Sequence, residues 1–424
     1  MSRFRNLTTA LAAALLVAAP SLHAVELQSV AGTDTKLNVY GFVWAYANYY
    51  IDADDNRYTG TNTGRGATEY AGSLFYAAPG ATGTTNFSGY PKGEFQINEY
   101  PTRFGFASTT PSANLGDVKT KIEYDLNGSN DHLRLAQIQF GGWTIGQAWS
   151  MWVDLDAGPD TVDWAGAIGT PGFDTCRYPA IQYVAQLDKN NSLGISLEQN
   201  GGEGDGSYSV SGNTSTGSRK IPTIIGMYTY ADSWGHIGLR VMGQNYSAFI
   251  PATATTGSQD YNKMEAAGMV SGDIKIAKDD LVFNFYDGKA LGNYGVGFQA
   301  ALFNDKTQEI TGLENLGWMV GYTHNWTDAV RSNIVLSGVT FKSDSSTPQT
   351  AAGTDGTTGA LMKTGYFAAI NTFVMLTKNL QFGAEYVWEQ AKAFGSNDVW
   401  IDYDGSAKNK IVNNKIELAL KANF

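Results

Sequence analysis

Hydrophobic and polar residues alternate along most of this chain. Between Leu37 and Ile51, the residues Leu37, Val39, Gly41, Val43, Ala45, Ala47 and Tyr49 share one side, while Asn38, Tyr40, Trp44, Tyr46 and Asn48 share the other. A period of two is the mark of a strand. This stretch is longer than the ~5–6 residues of an ordinary globular strand. A tilted strand crossing a bilayer needs roughly 9–11 residues.

The same alternation predicts strands around residues 102–106, then at 117–126, 132–140, 143–148, 178–187, 192–199, 221–231, 236–248, 263–276, 281–290, 317–324, 330–341, 364–376, 380–389 and 412–424. With the first, that makes sixteen, an even number. The cleanest pattern is Asp117–Leu126, with Val118, Thr120, Ile122, Tyr124 and Leu126 facing one way and Lys119, Lys121, Glu123 and Asp125 the other. Alternation alone suits a soluble sandwich as well as a membrane barrel. Loop lengths separate the two. Short connections at 188–191, 232–235, 278–280 and 377–379 alternate with long ones at 200–219, 249–262, 342–361 and 391–409. Short turns on one rim and long loops on the other is the outer-membrane barrel arrangement. The last strand ends with Ile416, Leu418, Leu420, Ala422 and Phe424 on one face, so the chain closes on an outward aromatic.

One stretch breaks the rhythm. Gly146–Cys176 carries Trp149, Trp152 and Trp164, the acids Asp154, Asp156, Asp160, Asp163 and Asp174, the breakers Pro159 and Pro171, and no Lys or Arg until Arg177. A structureless insert of that length inside a compact domain is functional when it is real. It reads as a loop between two strands which, folded inward, would narrow a pore at residues 149–176. The resulting expectation is a sixteen-stranded antiparallel transmembrane β-barrel with an inward-folded loop. Residues 37–424 make the barrel and residues 25–36 a short periplasmic lead.

Composition sharpens this picture. Arg3 and Arg5, an apolar run from Leu7 to Ala19, Pro20 and then Leu22-His23-Ala24 make a secretory signal peptide over residues 1–24. Its removal would shift the formal charge from −11 to −13, because it takes two arginines and no acid. That acidity argues against nucleic acid as a partner. No other segment is long and apolar enough for a spanning helix, which excludes a helical inner-membrane transporter. The single cysteine, Cys176, allows no internal disulfide framework.

The residues Thr102-Arg103-Phe104-Gly105-Phe106, then Gly146-Gln147, Trp149-Ser150, Asp154, Pro159, Thr161, Asp163 and Gly166, and finally the terminal Phe424, resemble the DcaP-type porins. The resemblance spans nearly the whole mature chain. It implies a trimeric outer-membrane porin of sixteen strands whose third loop enters the lumen, with a leaning toward small anions such as dicarboxylates. Several proteins of that type carry a helical extension before the barrel. Only about twelve residues precede the first strand here, so no such stalk is expected.

Candidate chemistry lies on the polar strand faces, at Arg103, Lys119, Lys121, Arg134, Arg177, Arg240 and Arg331. Cations in a narrow lumen with low-dielectric walls concentrate anions. The competing role is pairing with Glu123, Asp125 or loop acids, to hold the loop in place. The loop acids Asp154, Asp156, Asp160 and Asp163 have two readings, a hard-cation site or anchors to wall arginines. Asp52-Ala53-Asp54-Asp55-Asn56-Arg57 imitates a calcium loop but has Arg57 where the turn glycine is required. The histidines His132, His236 and His324 are isolated from any further zinc ligand. Trp44, Tyr49, Trp234, Trp318, Trp326 and Trp388 suit interfacial girdles, whereas Trp149, Trp152 and Trp164 suit loop packing.

No cofactor and no enzymatic activity is expected. The leading function is passive diffusion of small hydrophilic solutes, ahead of a structural or adhesive barrel with a plugged lumen, or a barrel hydrolase. Expected partners are the solutes, outer-membrane lipid and lipopolysaccharide, the barrel assembly machinery, and two further copies of the chain in a homotrimer. Gly41, Ala45 and Ala47 give the first strand a small outer face on which a neighbouring copy can approach closely.

Overall fold

Sixteen long antiparallel strands close on themselves. In chain order they are β1 Lys36–Ala53, β2 Arg103–Ser112, β3 Gly116–Asp125, β4 His132–Phe140, β5 Trp143–Trp149, β6 Arg177–Gln186, β7 Asn191–Glu198 and β8 Thr223–Asp232. They continue as β9 Gly235–Ile250, β10 Gln259–Ile276, β11 Asp279–Lys289, β12 Glu314–Thr327, β13 Val330–Lys342, β14 Met362–Met375, β15 Leu380–Ala393 and β16 Lys410–Asn423. Each pairs with its neighbours in sequence, and β16 returns to β1 in a register running from Phe42 opposite Asn423 to Ala53 opposite Asn413. This computed structural model describes residues 25–27, 34–53, 93, 95–99, 101–126, 132–162, 170–173, 175–199, 208–210, 221–250, 259–289, 291–295, 301–304, 309–312, 314–342, 362–393, 400–401 and 407–424. The expected signal peptide, Asp163, Trp164, Asp174 and most of the calcium-like stretch 52–57 lie outside those residues.

Two short strands complete the seam along β1. Val25–Leu27 pairs with residues 37–39 of β1, below the end of β16. Phe95–Asn98 pairs with residues 46–49 of β1, above the top of β2. Between it and β2, Thr102 Oγ1 accepts the Trp44 N–H at 3.1 Å, bridging the gap in the ladder. Lipid offers no alternative partner for a backbone amide, so a closed ladder is what allows strands to cross it.

The two faces of the wall are reversed relative to a soluble protein. Val241, Ile370, Ile334, Leu336, Ile416, Leu418 and Leu420 are exposed on the outside, while Asn284, Asn333, Asn371, Glu385, Lys415 and Glu417 are buried on the inside. The sandwich-or-barrel ambiguity of the alternating pattern is thereby removed: the apolar faces point away from a common interior. Among the described residues no helix is long and apolar enough to cross a membrane. Trp44 departs from the expected girdle. It stands on the inward face of β1, with Lys421 Nζ 4.6 Å from its ring.

Candidate functional site: the loop and the cationic wall

After Trp149 the chain leaves the wall, and it re-enters at Arg177. The Ser150 N–H donates to the Cys176 carbonyl at 3.0 Å and closes the neck of the loop. The Met151 N–H then donates to Glu198 Oε1 on β7 at 2.8 Å. Trp152, only 2% exposed, packs with Met151, Cys176, Tyr178, Ile225, Met242 and Met269.

Asp154 is the deepest anchor. Its Oδ2 accepts hydrogen bonds from Arg240 Nη1 at 3.0 Å and from the Ser271 hydroxyl, and lies 3.0 Å from His236 Nε2. Arg240 Nε also donates to the Met151 carbonyl at 2.9 Å. A buried ion pair adds little by itself, because desolvation offsets the Coulomb gain, but one whose remaining valences are filled fixes geometry. Burial alone would raise the Asp154 carboxyl. The Arg240 charge, the His236 bond and the Ser271 hydroxyl outweigh that and hold it well below the usual carboxylate range.

Further along, Asp160 Oδ2 accepts from Arg331 Nε on β13 at 2.5 Å, and Asn371 Nδ2 on β14 donates to the Asp160 carbonyl at 2.8 Å. The Val162 N–H donates to Glu385 Oε2 on β15 at 3.1 Å. At the far side, Gly172 has φ +85° and lies so close to β12 that a Cβ would meet the Trp318 backbone at 2.3 Å. Its carbonyl accepts from Asn284 Nδ2 at 2.6 Å, and Phe173 joins the cluster of Met319, Val335 and Val339. Asp156 differs from its neighbours. It is exposed, and its carboxyl is pushed up by enclosure within the barrel and then by Asp154.

A second loop, invisible in the alternation, meets the first. Leu291 and the turn Gly292–Tyr294 after β11 are buried against Met151 and Trp152. The Tyr294 hydroxyl donates to Glu198 Oε2 at 3.1 Å, and Gln244 Nε2 donates to the Leu291 carbonyl at 3.3 Å. Glu198 thus holds both loops at once.

On β2, β3, β4, β6 and β16 lies a cluster of five basic side chains, Arg103, Lys121, Arg134, Arg177 and Lys421, around two buried acids, Glu123 and Asp125. Arg134 is the paired one: Nε donates to Glu123 at 3.0 Å and Nη1 to Asp125 at 2.5 Å. Lys121 and Arg103 are each 3.6 Å from Glu123. Arg177 forms no ion pair among the described residues, and its Nη1 is buried without a hydrogen-bond partner. Aromatic faces also hold these cations. Arg177 lies 4.8 Å from the Trp149 ring, Arg103 5.1 Å and Lys421 4.1 Å from Phe42, and Lys121 5.0 Å from Tyr40. Arg331 repeats the motif over Phe373 at 4.4 Å. A quadrupole positions a cation without cancelling its charge.

The structure therefore divides the cations anticipated from sequence. Arg103, Lys121, Arg134 and Arg177 come together. Arg240 and Arg331 are engaged by the loop through Asp154 and Asp160. Lys119 shares the face of Lys121 but sits nearer the short turn, cross-strand from Gln139. Lys421 and its ring partners Phe42 and Trp44 were missed, although alternation places Lys421 on the polar face of the last strand; that was the available signal.

The chain matches the family model for the DcaP outer membrane protein over residues 87–405. No curated protein matches it in sequence. Among solved structures it is similar to the outer membrane channel DcaP of Acinetobacter baumannii, at 21% identity and TM-score 0.68, covering 94% of this chain and 100% of the other. It is also similar to the anion-selective porin from Comamonas acidovorans, at 9% identity and TM-score 0.55, covering 92% and 100%. OmpT of Vibrio cholerae in its trimer form gives 10%, TM-score 0.54, and coverage of 92% and 99%. At these identities the structures speak for the barrel fold, and the family match carries the assignment: the chain belongs to the DcaP outer membrane protein family, a sixteen-stranded barrel of the Gram-negative outer membrane.

Proposed function

We propose that this chain is a passive diffusion channel for small hydrophilic solutes that favours small anions such as dicarboxylates. The observation that carries the reading is the wall cluster of five cations and two acids, whose members rest largely on aromatic rings. Charge held this way stays available to a passing anion, and low-dielectric walls keep its field in the lumen. The loop from Ser150 to Cys176, tied to lumen-facing side chains of β7, β9, β13 and β15, would set the narrowest point beside that wall. Two of its acids, Asp154 and Asp160, are occupied by Arg240 and Arg331 and so subtract little from the cluster.

The anion-selective porin among the similar folds is in keeping with this reading. The trimer form of another, and the small outer side chains of Ala45 and Ala47 on β1, support a homotrimer that enters the membrane through the barrel assembly machinery after removal of residues 1–24. Liposome swelling tests the function: vesicles containing the protein should swell in small sugars and faster in the salt of a small dicarboxylate than in an equally sized cationic solute. Absence of swelling with every solute would instead favour a barrel plugged by its two inner loops.

A further inference from the structure

The outward positions of β15 and β16 form a graded ladder. In order from the short-turn rim, the cross-strand pairs are Phe382–Leu420, Ala384–Leu418, Tyr386–Ile416, Trp388–Asn414, Gln390–Val412 and Lys392–Lys410. The lower rungs are apolar. At the fourth the Tyr386 hydroxyl donates to Asn414 Oδ1 at 2.9 Å, and Trp388 stands beside it, as amphipathic rings do where hydrocarbon gives way to headgroups. Two rungs higher, two lysines face each other.

That last rung is unusual. Side chains directly opposite on neighbouring strands have Cβ atoms about 4.5–5.5 Å apart, and like charges so placed are destabilising. Both lysines are exposed. A third, Lys363, is exposed at the irregularity between Met362 and Thr364, next to the Thr364–Lys392 pair. Among the described residues no carboxylate pairs with any of the three. Two other rim lysines do have carboxylate partners: Lys342 lies 2.5 Å from Glu314, and Lys275 lies 2.6 Å from Asp280 and 2.9 Å from Asp273. Among the described residues, then, nothing relieves the repulsion at Lys392–Lys410.

Long loops mark this rim as the extracellular one. Lys392 is four residues beyond Trp388, roughly 13 Å along a strand at about 3.3 Å per residue, or about 10 Å along the membrane normal once the tilt is counted. That is the depth of polar headgroups. We infer that Lys363, Lys392 and Lys410 form a docking site on the outside of the barrel for the phosphate groups of an outer-leaflet phosphoglycolipid of the lipopolysaccharide type. Phosphate is the fitting anion because an ammonium binds it as a point charge, without needing the planar fork that favours arginine. The acyl chains of the same molecule would lie on Leu418, Ile416 and Ile370, which are exposed just below.

The test uses the full mature protein in detergent, titrated with diphosphorylated lipid A, dephosphorylated lipid A, phosphatidylglycerol and inorganic phosphate, with binding read by native mass spectrometry. Wild type should bind diphosphorylated lipid A at least about tenfold more tightly than the dephosphorylated form, since each lysine near an anionic lipid surface contributes about a factor of five. Lys392→Ala with Lys410→Ala should remove that preference, and Lys363→Ala should weaken it. Lys189→Ala, at an exposed turn of the opposite rim, should leave it unchanged, and single-channel conductance should be the same in all. Equal binding by wild type and the double variant overturns the site. Equal affinity for phosphatidylglycerol, or full displacement by millimolar inorganic phosphate, overturns the glycolipid as its occupant.

Discussion

Gly41 and Phe424 exchange both main-chain hydrogen bonds, at 3.2 Å from the Gly41 N–H and 3.0 Å from the Phe424 N–H. The Phe424 ring lies over the glycine, where a Cβ would stand 2.6 Å from Cζ and 2.4 Å from the Arg103 carbonyl oxygen. The last residue is thus the rivet at the foot of the β1–β16 seam, and Gly41 is small because the ring occupies the place of its side chain. Gly41→Val should impair closure as severely as Phe424→Asp. Both variants are expected to lose the heat-resistant, folded species on electrophoresis. A normal folded band from Gly41→Val would contradict the packing argument.

Arg134 and Arg177 belong to one cluster but should fail differently. Arg134 is 2% exposed and bonds two buried acids, so Arg134→Ala removes the closest cation of each, leaving Glu123 to Tyr40, Lys121 and Arg103 and Asp125 to His132, and should cost up to about 3–5 kcal/mol. Arg177→Ala loses chiefly the contact with Trp149, worth about 0.5–2 kcal/mol. Urea unfolding of the detergent-solubilised barrel distinguishes them. Equal midpoints for the two variants would mean that the acids are not held by Arg134.

The loop carries two carboxyls displaced in opposite directions, which gives a pH dependence with a definite sign. Asp154 is depressed, so its contribution to anchoring is complete above the unfolded carboxylate pKa and is lost only as pH falls through the lower folded value. Asp156 is raised, so it takes up a proton before an ordinary carboxyl would, and its ionised form at neutral pH is a cost. Lowering pH from 7 toward roughly 4, the unperturbed carboxylate range, should therefore increase anion preference while conductance stays steady. Asp156→Asn should abolish that pH response. A conductance jump in the same window would show that Asp154 had already released the loop.

Glu198 joins the two inner loops, and the Tyr294 hydroxyl is one of its donors. Burial first, and then the Glu198 carboxylate, push the Tyr294 phenol well above its ordinary range, so it remains a donor at any physiological pH. Tyr294→Phe removes one hydrogen bond to a charged group, about 1.5–3 kcal/mol, and should loosen the second loop. Single-channel recordings are expected to show larger or noisier conductance with unchanged ion preference. A trace identical to wild type would confine Tyr294 to packing.

Much of this barrel was legible because period two is a one-dimensional signal. The sixteen strand positions, the outward Phe424, and the face shared by Lys119, Lys121, Glu123 and Asp125 follow from parity alone. Parity does not give height. Whether Lys421, Phe42 and Arg103 meet depends on the register of β16, β1 and β2, which tilt and stagger set around the closed barrel. That is why the aromatic partners of the cations went unread; Trp44, which parity places on the polar face, was grouped with the girdle against that parity. Pairing of Asp154 and Asp160 with arginines was foreseeable in kind, but the choice of Arg240 and Arg331 was not. Their sequence separations of 86 and 171 residues are bridged only by the closed fold. The inner turn at Leu291–Tyr294 left no periodic trace, since a loop that packs through two side chains need not alternate.

The central claim is that the cationic wall, and not the net charge of −11, governs what passes. A charge farther than about one Debye length, ~8 Å at physiological ionic strength, from the narrowest point is largely screened there, so the local sum of charges decides. The direct measurement is the reversal potential across a planar bilayer in a KCl gradient, for wild type and for Arg103→Ala, Arg177→Ala and Lys421→Ala. The wild type should prefer chloride, and each variant should shift the potential toward that of a non-selective pore. A potassium-selective wild type, unchanged in all three variants, would contradict the account.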